Sequence, residues 1–110
     1  MVPTGDWGGD HIAMTVASLS THIELDCAHA DVPTTLRTDE RSQFSAAGTF
    51  VREHGGPVRD GEILDAHPAT FVGSVTATNI VLTIRLTDSS DVIGTFSLAR
   101  GATGRVVKCL

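Results

Sequence analysis

Apolar side chains alternate with polar or small side chains in short runs along most of the chain, which is the pattern of half-buried β-strands. The first two runs cover residues 12–16 and 23–27. With Leu19-Ser20 at the turn, Ile12 would pair with Cys27 in a hairpin whose inward-facing side chains meet. Leu-Ser is a poor two-residue turn, because neither residue favours a positive φ.

Six further runs show the same alternation of apolar and polar positions. No stretch has the apolar spacing of an amphipathic helix. They cover residues 32–37, 44–51, 70–75, 80–86, 92–98 and 105–110. The eight runs predict an all-β fold, an eight-stranded antiparallel up-and-down meander that closes into a small barrel. Closure would place the first strand beside the last. The alternative is a two-sheet β-sandwich, which would use the same strands with different neighbours.

Tight and long connections alternate along this meander, so the long ones should share one end of the barrel, which we call the rim. The rim is expected to collect most ionisable side chains, whereas His22 belongs to the opposite end. The residues expected at the rim are His11, Asp26, Cys27, His29, Asp31, Glu53, His54, Asp60, Glu62, Asp65, His67, Asp88, Asp91 and Cys109. The longest connection, residues 54–67, is the candidate for a mobile lid.

Length and charge narrow the class of protein. A chain of 110 residues is expected to form one domain, residues 1–110, around a single modest core. A net charge of −5 and only eight lysine and arginine residues argue against nucleic acid or an anionic membrane as a partner. No apolar stretch approaches the ~20 residues of a membrane span, and the N-terminus lacks a signal-peptide pattern. We therefore expect a cytoplasmic protein, or a secreted one whose leader has been removed.

The two cysteines, Cys27 and Cys109, are too few for a disulfide scaffold, and the chain has no Cys-x-x-Cys motif. In the predicted barrel one strand lies between them, a separation of ~9.5 Å, whereas a disulfide requires Cα atoms within roughly 7 Å. A disulfide would need both residues to extend past the first strand, or a sandwich. A structural disulfide, two buried thiols, and metal or redox chemistry therefore stay open.

The histidines and cysteines of the rim suggest a metal site. His11, His29, Cys27 and Cys109 form a conceivable set of soft-metal ligands. However, His11 should point outward where Cys27 points inward, and the spacings match no zinc pattern. The simpler interpretation is that these histidines bond to loop backbone or face water. No motif implies a cofactor, since nucleophile-elbow, phosphate-loop and His-Glu-x-x-His patterns are missing from the sequence.

Candidate acid–base residues flank the long connection. Glu53, His54 and His67 qualify, because a carboxylate beside an imidazole can shift either pKa toward neutrality. Asp65 lies two residues before His67. Glu53 and His54 are adjacent on a strand and would point to opposite faces. Arg52 is a candidate for an anionic ligand, although a solvated charge is the simpler interpretation.

The opening Gly5-Asp6-Trp7, followed by a strand, resembles the Gly-x-Trp start of the calycin barrels, which include lipocalins, avidins and fatty-acid binders. In that group the tryptophan packs at the base of the barrel, where the first strand begins, and the ligand enters at the opposite end. The resemblance implies a ligand-binding barrel.

A longer set of segments is similar to a group of small bacterial proteins and implies no activity. It consists of Trp7-Gly8-Gly9, His11-Ile12, Asp26-Cys27-Ala28-His29, Gly55-Gly56-Pro57-Val58 and Lys108-Cys109-Leu110.

The chain departs from the calycins in three respects. An avidin-like biotin site needs several tryptophans, and this chain has one tryptophan and no tyrosine. Trp7 precedes the first predicted strand, so the polar connections would lie at its own end. The inward-facing side chains are numerous enough to fill a small barrel. They are Ile12, Met14, Val16, Ile23, Leu25, Phe44, Phe50, Phe71, Val75, Leu82, Ile84, Leu86, Phe96 and Leu98.

Three functions follow as hypotheses. The first is a small-molecule-binding β-barrel whose ligand lies at the rim or in a shallow apolar pocket beneath residues 54–67. Its expected ligand-binding residues are Trp7, His11, Arg52, His54 and His67. The second is a metal-dependent or acid–base enzyme that uses His11, His29, Glu53, His54 and Cys27. The third is a structural module that forms a homo-oligomer through exposed strand edges.

Overall fold

A computed structural model describes residues 1–53 and 65–108 of the chain. Eight antiparallel strands follow one another in chain order around a closed barrel. They are β1 (Gly5–Gly9), β2 (Ile12–Val16), β3 (Thr21–Leu25), β4 (Ala28–Val32), β5 (Gln43–Arg52), β6 (Asp65–Val75), β7 (Asn79–Leu86) and β8 (Val92–Arg100). The predicted all-β meander and its closure into a barrel are confirmed, and the sandwich alternative is wrong. No helix long and apolar enough to cross a membrane occurs among these residues.

The first and last strands differ from the prediction. β1 was not predicted, because a five-residue strand with three glycines and one large apolar side chain lacks the period-2 pattern. Residues 105–108 do not form a strand, and Arg105 makes a single β-bridge to Asp10. The structure has the predicted number of strands, but β1 takes the place of the strand that was predicted to begin at residue 105.

The glycines of β1 are explained by close backbone contacts. A Cβ atom on Gly8 would lie 2.4 Å from both the Ala102 oxygen and the Gly104 nitrogen. A Cβ atom on Gly9 would lie 2.0 Å from the Ser97 oxygen. Residues 101–108, which we call the C-terminal strap, thus press against β1 at Gly8, and β8 presses against it at Gly9, both at distances that only glycine permits.

The fourth strand also differs from the prediction. The run predicted at 32–37 is found as β4 at Ala28–Val32, because Cys27 adopts a positive φ of 50° and the chain reverses within Asp26-Cys27. Asp31 therefore lies toward the end opposite the rim, where it is the register partner of His22. The prediction that Asp31 belongs to the rim is wrong.

The β2–β3 register is shifted by two residues from the predicted one. Ile12 pairs with Leu25, not with Cys27, and Val16 pairs with Thr21. The backbone nitrogen of Ala17 donates to the Ser20 oxygen at 2.8 Å, so the turn is centred one residue earlier than predicted. A shift of two keeps every side chain on its predicted face, which is why the inward-facing set remains correct.

The barrel interior is packed with apolar side chains. All of the predicted inward-facing residues belong to this core or pack against it, Val75 and Phe96 being only partly buried. Trp7, Ala28, Ala30, Val32, Ala69 and Ile80 complete the set contributed by strands. Val2 and Leu36 are also buried, and the Val2 nitrogen donates to the Leu36 oxygen at 3.1 Å. These two residues close the end opposite the rim.

The position of Trp7 corrects the predicted orientation. Gly5 pairs with Val16 at the closed end, so Gly5-Asp6-Trp7 begins the first strand there. The connections at the rim are Asp10-His11, Asp26-Cys27, the one between β5 and β6, and residues 87–91. The expectation that Trp7 and the polar connections share one end is wrong, because it assumed that the first strand began at residue 12.

Barrel closure depends on a short ladder between β1 and β8. Its two register pairs are Trp7 with Arg100 and Gly8 with Ala99. The strap extends this contact, since the Gly101 nitrogen donates to the Asp6 oxygen at 2.7 Å and the Arg105 nitrogen to the Gly9 oxygen at 3.0 Å. The strap then reaches the rim, where the Cys27 nitrogen donates to the Val107 oxygen at 3.1 Å.

We predict that Gly8→Ala destabilises the protein by about 1–3 kcal/mol, the usual cost of overpacking a filled site. The added methyl group would collide with the strap backbone at Ala102 and Gly104. Urea denaturation measures the loss, and faster proteolysis after Arg100 or Arg105 would report a displaced strap. Ser45→Ala, at an exposed position on β5, is the control and should change stability by less than ~0.5 kcal/mol. Equal stability of both variants would contradict a close-packed strap.

Candidate functional site

The rim carries most of the ionisable residues expected there. Those described by the structure are His11, Asp26, Cys27, His29, Glu53, Asp65, His67, Asp88 and Asp91. His54, Asp60, Glu62 and Cys109 lie outside the described residues, as does most of the predicted lid. The described residues include two separate clusters. We call Asp65, His67 and Asp88 the mouth cluster, and Glu24, His29, Glu53 and Lys108 the wall cluster.

The mouth cluster lies above the barrel interior. His67 is the register partner of Phe50, and paired residues share one face of a sheet. Two and four residues further along β6, on the same face, Ala69 and Phe71 are each only 1% exposed in the core. His67 and Asp65 therefore continue the inner face of β6 beyond the apolar core, at the open end of the barrel.

Both ring nitrogens of His67 are bonded to carboxylates. Nδ1 lies 2.7 Å from an Asp88 oxygen and Nε2 lies 2.6 Å from an Asp65 oxygen. The hydrogen bond to Asp88, followed by the one to Asp65, raises the pKa of His67, because both bonds are strongest when the ring is an imidazolium. The same hydrogen bond lowers the pKa of Asp88. A backbone bond from Thr87 to the Pro68 oxygen at 2.9 Å holds the Asp88 connection beside β6.

This geometry suits binding better than proton transfer. A general base needs a free ring nitrogen, and both nitrogens of His67 already have carboxylate partners. Each carboxylate, in contrast, keeps lone pairs for another donor, and the Asp65 side chain is about half exposed, at 55%. The mouth cluster can therefore accept hydrogen bonds from a ligand.

The wall cluster lies on the outer face of the barrel. Glu24 on β3 is the register partner of His29 on β4, and the Glu53 nitrogen donates to the Cys27 oxygen at 2.8 Å directly after β5. His29 Nδ1 lies 2.7 Å from a Glu53 oxygen. Burial opposes ionisation of Glu53, but hydrogen bonds from His29 and Lys108 outweigh it and lower the pKa of this carboxyl group.

Lys108 occupies the centre of the wall cluster. Its Nζ atom lies 3.1 Å from Glu53 and 3.3 Å from Glu24. It also donates to the backbone oxygens of Ala28 at 2.7 Å and Leu25 at 3.1 Å. An ammonium group surrounded by four oxygens satisfies both the charge and the hydrogen-bonding needs of this partly buried site.

A row of histidines and carboxylates extends from the wall cluster along β3 and β4. His22 Nδ1 lies 2.7 Å from Asp31, and the His22 ring stacks on the His29 ring at a centroid distance of 6.1 Å. The hydrogen bond to Asp31 raises the pKa of His22, although burial opposes this shift. His22 is thus part of the same outer surface as His29, although it lies nearer the opposite end of the barrel.

Two of the predicted metal ligands, His11 and His29, separate in the structure. Of His11, His29, Cys27 and Cys109, His29 belongs to the wall cluster. His11 Nδ1 instead lies 2.5 Å from Asp26, and its side chain is largely exposed. The other Asp26 oxygen accepts a bond from the Val107 backbone at 2.8 Å. This bond first, and the His11 bond second, lower the pKa of Asp26 against the opposing effect of burial.

Glu24 and Lys108 were not predicted as site residues. Glu24 could have been found from the β3–β4 register, because a tight turn at Asp26-Cys27 places it opposite His29. Lys108 carries no such signal, since its position depends on a strap that crosses the barrel without forming a strand.

Two predicted ligand-binding residues have structural partners. Trp7 is 1% exposed, donates from Nε1 to the Pro3 oxygen at 3.1 Å, and has the Arg100 guanidinium 6.0 Å from its ring centroid. It is a core residue in the middle of β1. Arg52 lies at the rim with its guanidinium 5.8 Å from the Phe50 ring centroid, a cation–π contact.

The described residues contain no free cysteine, so Cys27 is not a buried thiol. Its backbone nitrogen donates to Val107, which precedes Cys109 by two residues, a reach of at most ~7 Å. The separation of ~9.5 Å that we expected between the two cysteines assumed a strand between them. The strap instead contacts Cys27 directly, so this distance no longer argues against a disulfide. Cys109 lies outside the described residues, and the disulfide stays a prediction.

A shallow groove is present away from the rim. It has a volume of about 580 Å³ on the outer face of β5, β6 and β7, and Phe44, Val72, Thr83 and Arg37 are among its lining residues. None of the predicted ligand-binding residues that the structure describes lines this groove.

No protein-family model matches the chain, and comparisons with curated proteins and with solved structures likewise find no match.

The mouth cluster predicts a specific pH dependence of stability. A raised His67 pKa contributes stability that is complete below the ordinary value of 6.5 and is lost as the pH rises through the raised value. A lowered Asp88 pKa contributes stability above the ordinary value of 3.8 that is lost as the pH falls through the lowered value. Urea denaturation should therefore show the largest difference between the wild type and His67→Gln from about pH 4 to 6.5. A difference that does not change between pH 5 and pH 9 would rule out this linkage.

We also predict that Cys27 and Cys109 form a disulfide. The intact mass should be two hydrogens below that of the reduced chain, and alkylation under denaturing conditions should label neither cysteine before reduction. Reduction should destabilise the fold by about 2–4 kcal/mol, as expected for a long closed loop. The Cys27→Ser variant should lose the same stability and no longer respond to reductant. Labelling of both cysteines in the unreduced protein would refute the disulfide.

Proposed function

We propose that this chain binds a small ligand at the mouth of the barrel, with the mouth cluster as its polar anchor. The observation that carries the proposal is the position of His67, held between Asp65 and Asp88 on the inner face directly beyond the core residues Ala69 and Phe71. Binding sites typically combine an apolar floor with a few fixed polar groups. The mouth places fixed polar groups of this kind directly beyond the apolar core.

The hydrogen-bonding groups of the mouth cluster indicate the chemistry of the ligand. Two carboxylates and one imidazolium leave one net negative charge on these three residues when His67 is protonated, and Arg52, the register partner of Asp65, places a positive charge at the same end of the barrel. The carboxylates can only accept hydrogen bonds, so they favour a ligand that donates them or carries a positive charge. The net charge of −5 also disfavours an anionic ligand. We therefore infer a small molecule with an amine or another strong donor.

Four features support a calycin-like arrangement. Gly5-Asp6-Trp7 begins the first strand, and Trp7 is buried. Val2 and Leu36 close that end, and the polar mouth lies at the opposite end. This is the orientation that the calycin resemblance implies. The packed interior favours a shallow site at the mouth, because large inward side chains of the described strands fill the barrel core.

The other two hypotheses have weaker support. Acid–base catalysis at His67 would first require breaking one of its carboxylate bonds. Oligomerisation through strand edges has less support because the sheet closes on itself, although β8 pairs with β1 only at Ala99 and Arg100. We retain a small molecule as the partner, in preference to nucleic acid or a membrane surface.

A matched set of probes tests this proposal. Butylamine, butanol and butyrate have similar apolar parts and differ in charge. We expect butylamine to bind more tightly than the other two and to shift NMR resonances of Asp65, His67 and Asp88 before those elsewhere. Asp65→Asn/Asp88→Asn should weaken amine binding at least tenfold, because it removes both carboxylates.

Asp6→Asn is the control, since Asp6 is a carboxylate at the closed end that accepts a bond from Thr15 at 2.9 Å. This variant should bind butylamine like the wild type. Equal binding of the three probes, or shifts confined to the groove around Phe44 and Val72, would overturn a mouth site for amines.

A further inference from the structure

We propose that Glu24, His29 and Glu53 form a second site, which binds a divalent transition-metal ion such as Zn²⁺, and that the Lys108 ammonium is its built-in competitor. The site is separate from the mouth cluster, because Glu24 and His29 project from the outer face of β3 and β4. It contains none of the residues assigned above to ligand binding at the mouth.

The three side chains already have nearly the spacing of metal ligands. One ligand atom from each can be chosen so that all three lie within 4.8 Å of one another. In a tetrahedral site, two ligands of one zinc ion, each about 2.1 Å from the metal, are about 3.4 Å apart. Reaching this spacing requires each ligand atom to move by about 1 Å toward the centre, which side-chain torsions can supply. Two carboxylates and an imidazole are suitable ligands for zinc, cobalt or nickel.

The centre of the cluster already holds a cation. The Lys108 ammonium lies 2.7–3.3 Å from two carboxylates and from the backbone oxygens of Leu25 and Ala28. Without the lysine, the two glutamates would carry two negative charges, which a divalent ion balances in full. The structure thus shows a partly buried cation site whose present occupant is a side chain.

Metal binding needs only the lysine side chain to leave. Lys108 is about one-third exposed at its side chain, so its ammonium can rotate into solvent. The strap backbone stays in place, because Val107 bonds to both Cys27 and Asp26. The metal must therefore displace a paired ammonium, and this competition weakens its affinity for the wild-type protein.

His22 is placed to support the metal. Its ring stacks on His29, and its Nε2 atom lies 3.5 Å from a Glu24 oxygen. A carboxylate that is also bonded to an imidazole keeps a fixed orientation toward the metal. His22 therefore acts as a positioning residue for Glu24.

Calorimetric titration with Zn²⁺ tests the competition. We expect one ion per chain, and Lys108→Met should bind it at least tenfold more tightly than the wild type. Arg105→Met is the matched control, since it removes another strap cation that pairs with Asp10 at 3.0 Å, outside the cluster. This control should bind like the wild type. In the Lys108→Met background, Glu24→Gln/Glu53→Gln should weaken binding at least tenfold.

Two outcomes would overturn the site. One is Lys108→Met binding no more tightly than Arg105→Met, and the other is tight binding that survives the double glutamine substitution. Paramagnetic broadening by Mn²⁺ in the wild-type protein provides a measurement that needs no variant. Broadening should centre on residues 24, 29 and 53, and broadening centred on His11 or on the mouth cluster would contradict the assignment. Circular dichroism of each variant establishes that it is folded.

Discussion

Barrel closure is the constraint on which the rest of the structure depends. β5 and β6 share ten register pairs, whereas β1 and β8 share two, so the seam is the weakest ladder around the barrel. Trp7 strengthens it from the inside, where its indole is fully buried and faces the Arg100 guanidinium. The strap strengthens it from the outside through backbone bonds to Asp6 and Gly9. Closure in turn gives the sheet one packed inner face, although β8 pairs with β1 only at Ala99 and Arg100.

The strap links closure to the chemistry of the rim. After crossing β1 it bonds to Cys27 through Val107, and the next residue, Lys108, enters the wall cluster. Neutralisation of Glu24 and Glu53 therefore depends on the same segment that covers the seam. A change that loosens the strap should affect both barrel stability and the charge balance on the outer wall. The mouth cluster is independent of the strap, because its three residues belong to β6 and the β7–β8 connection.

The fold was largely predictable because apolar alternation directly records which side chains face the interior. β5 and β7 alternate over eight residues, and the predicted bounds of β5, β7 and β8 agree with the structure within two residues. β1 was not predictable in this way, since its glycines are required by contact with a strap distant in sequence. The turn at Asp26-Cys27 was hidden for a different reason. Cys27 adopts a left-handed conformation without being glycine or asparagine, so the residue type gave no turn signal.

The candidate sites were harder to predict, because they depend on which face of the barrel each polar residue occupies. The rim was expected to gather histidines and carboxylates into one set, but strand alternation divides them. His67 faces inward and His29 faces outward between the buried residues Ala28 and Ala30. A one-residue slip of β4 would turn the His29 imidazole into the core and expose both alanines, and burying an unpartnered polar group costs about 1–3 kcal/mol. Packing of these two small residues therefore holds His29 on the wall, in reach of Glu24 and Glu53.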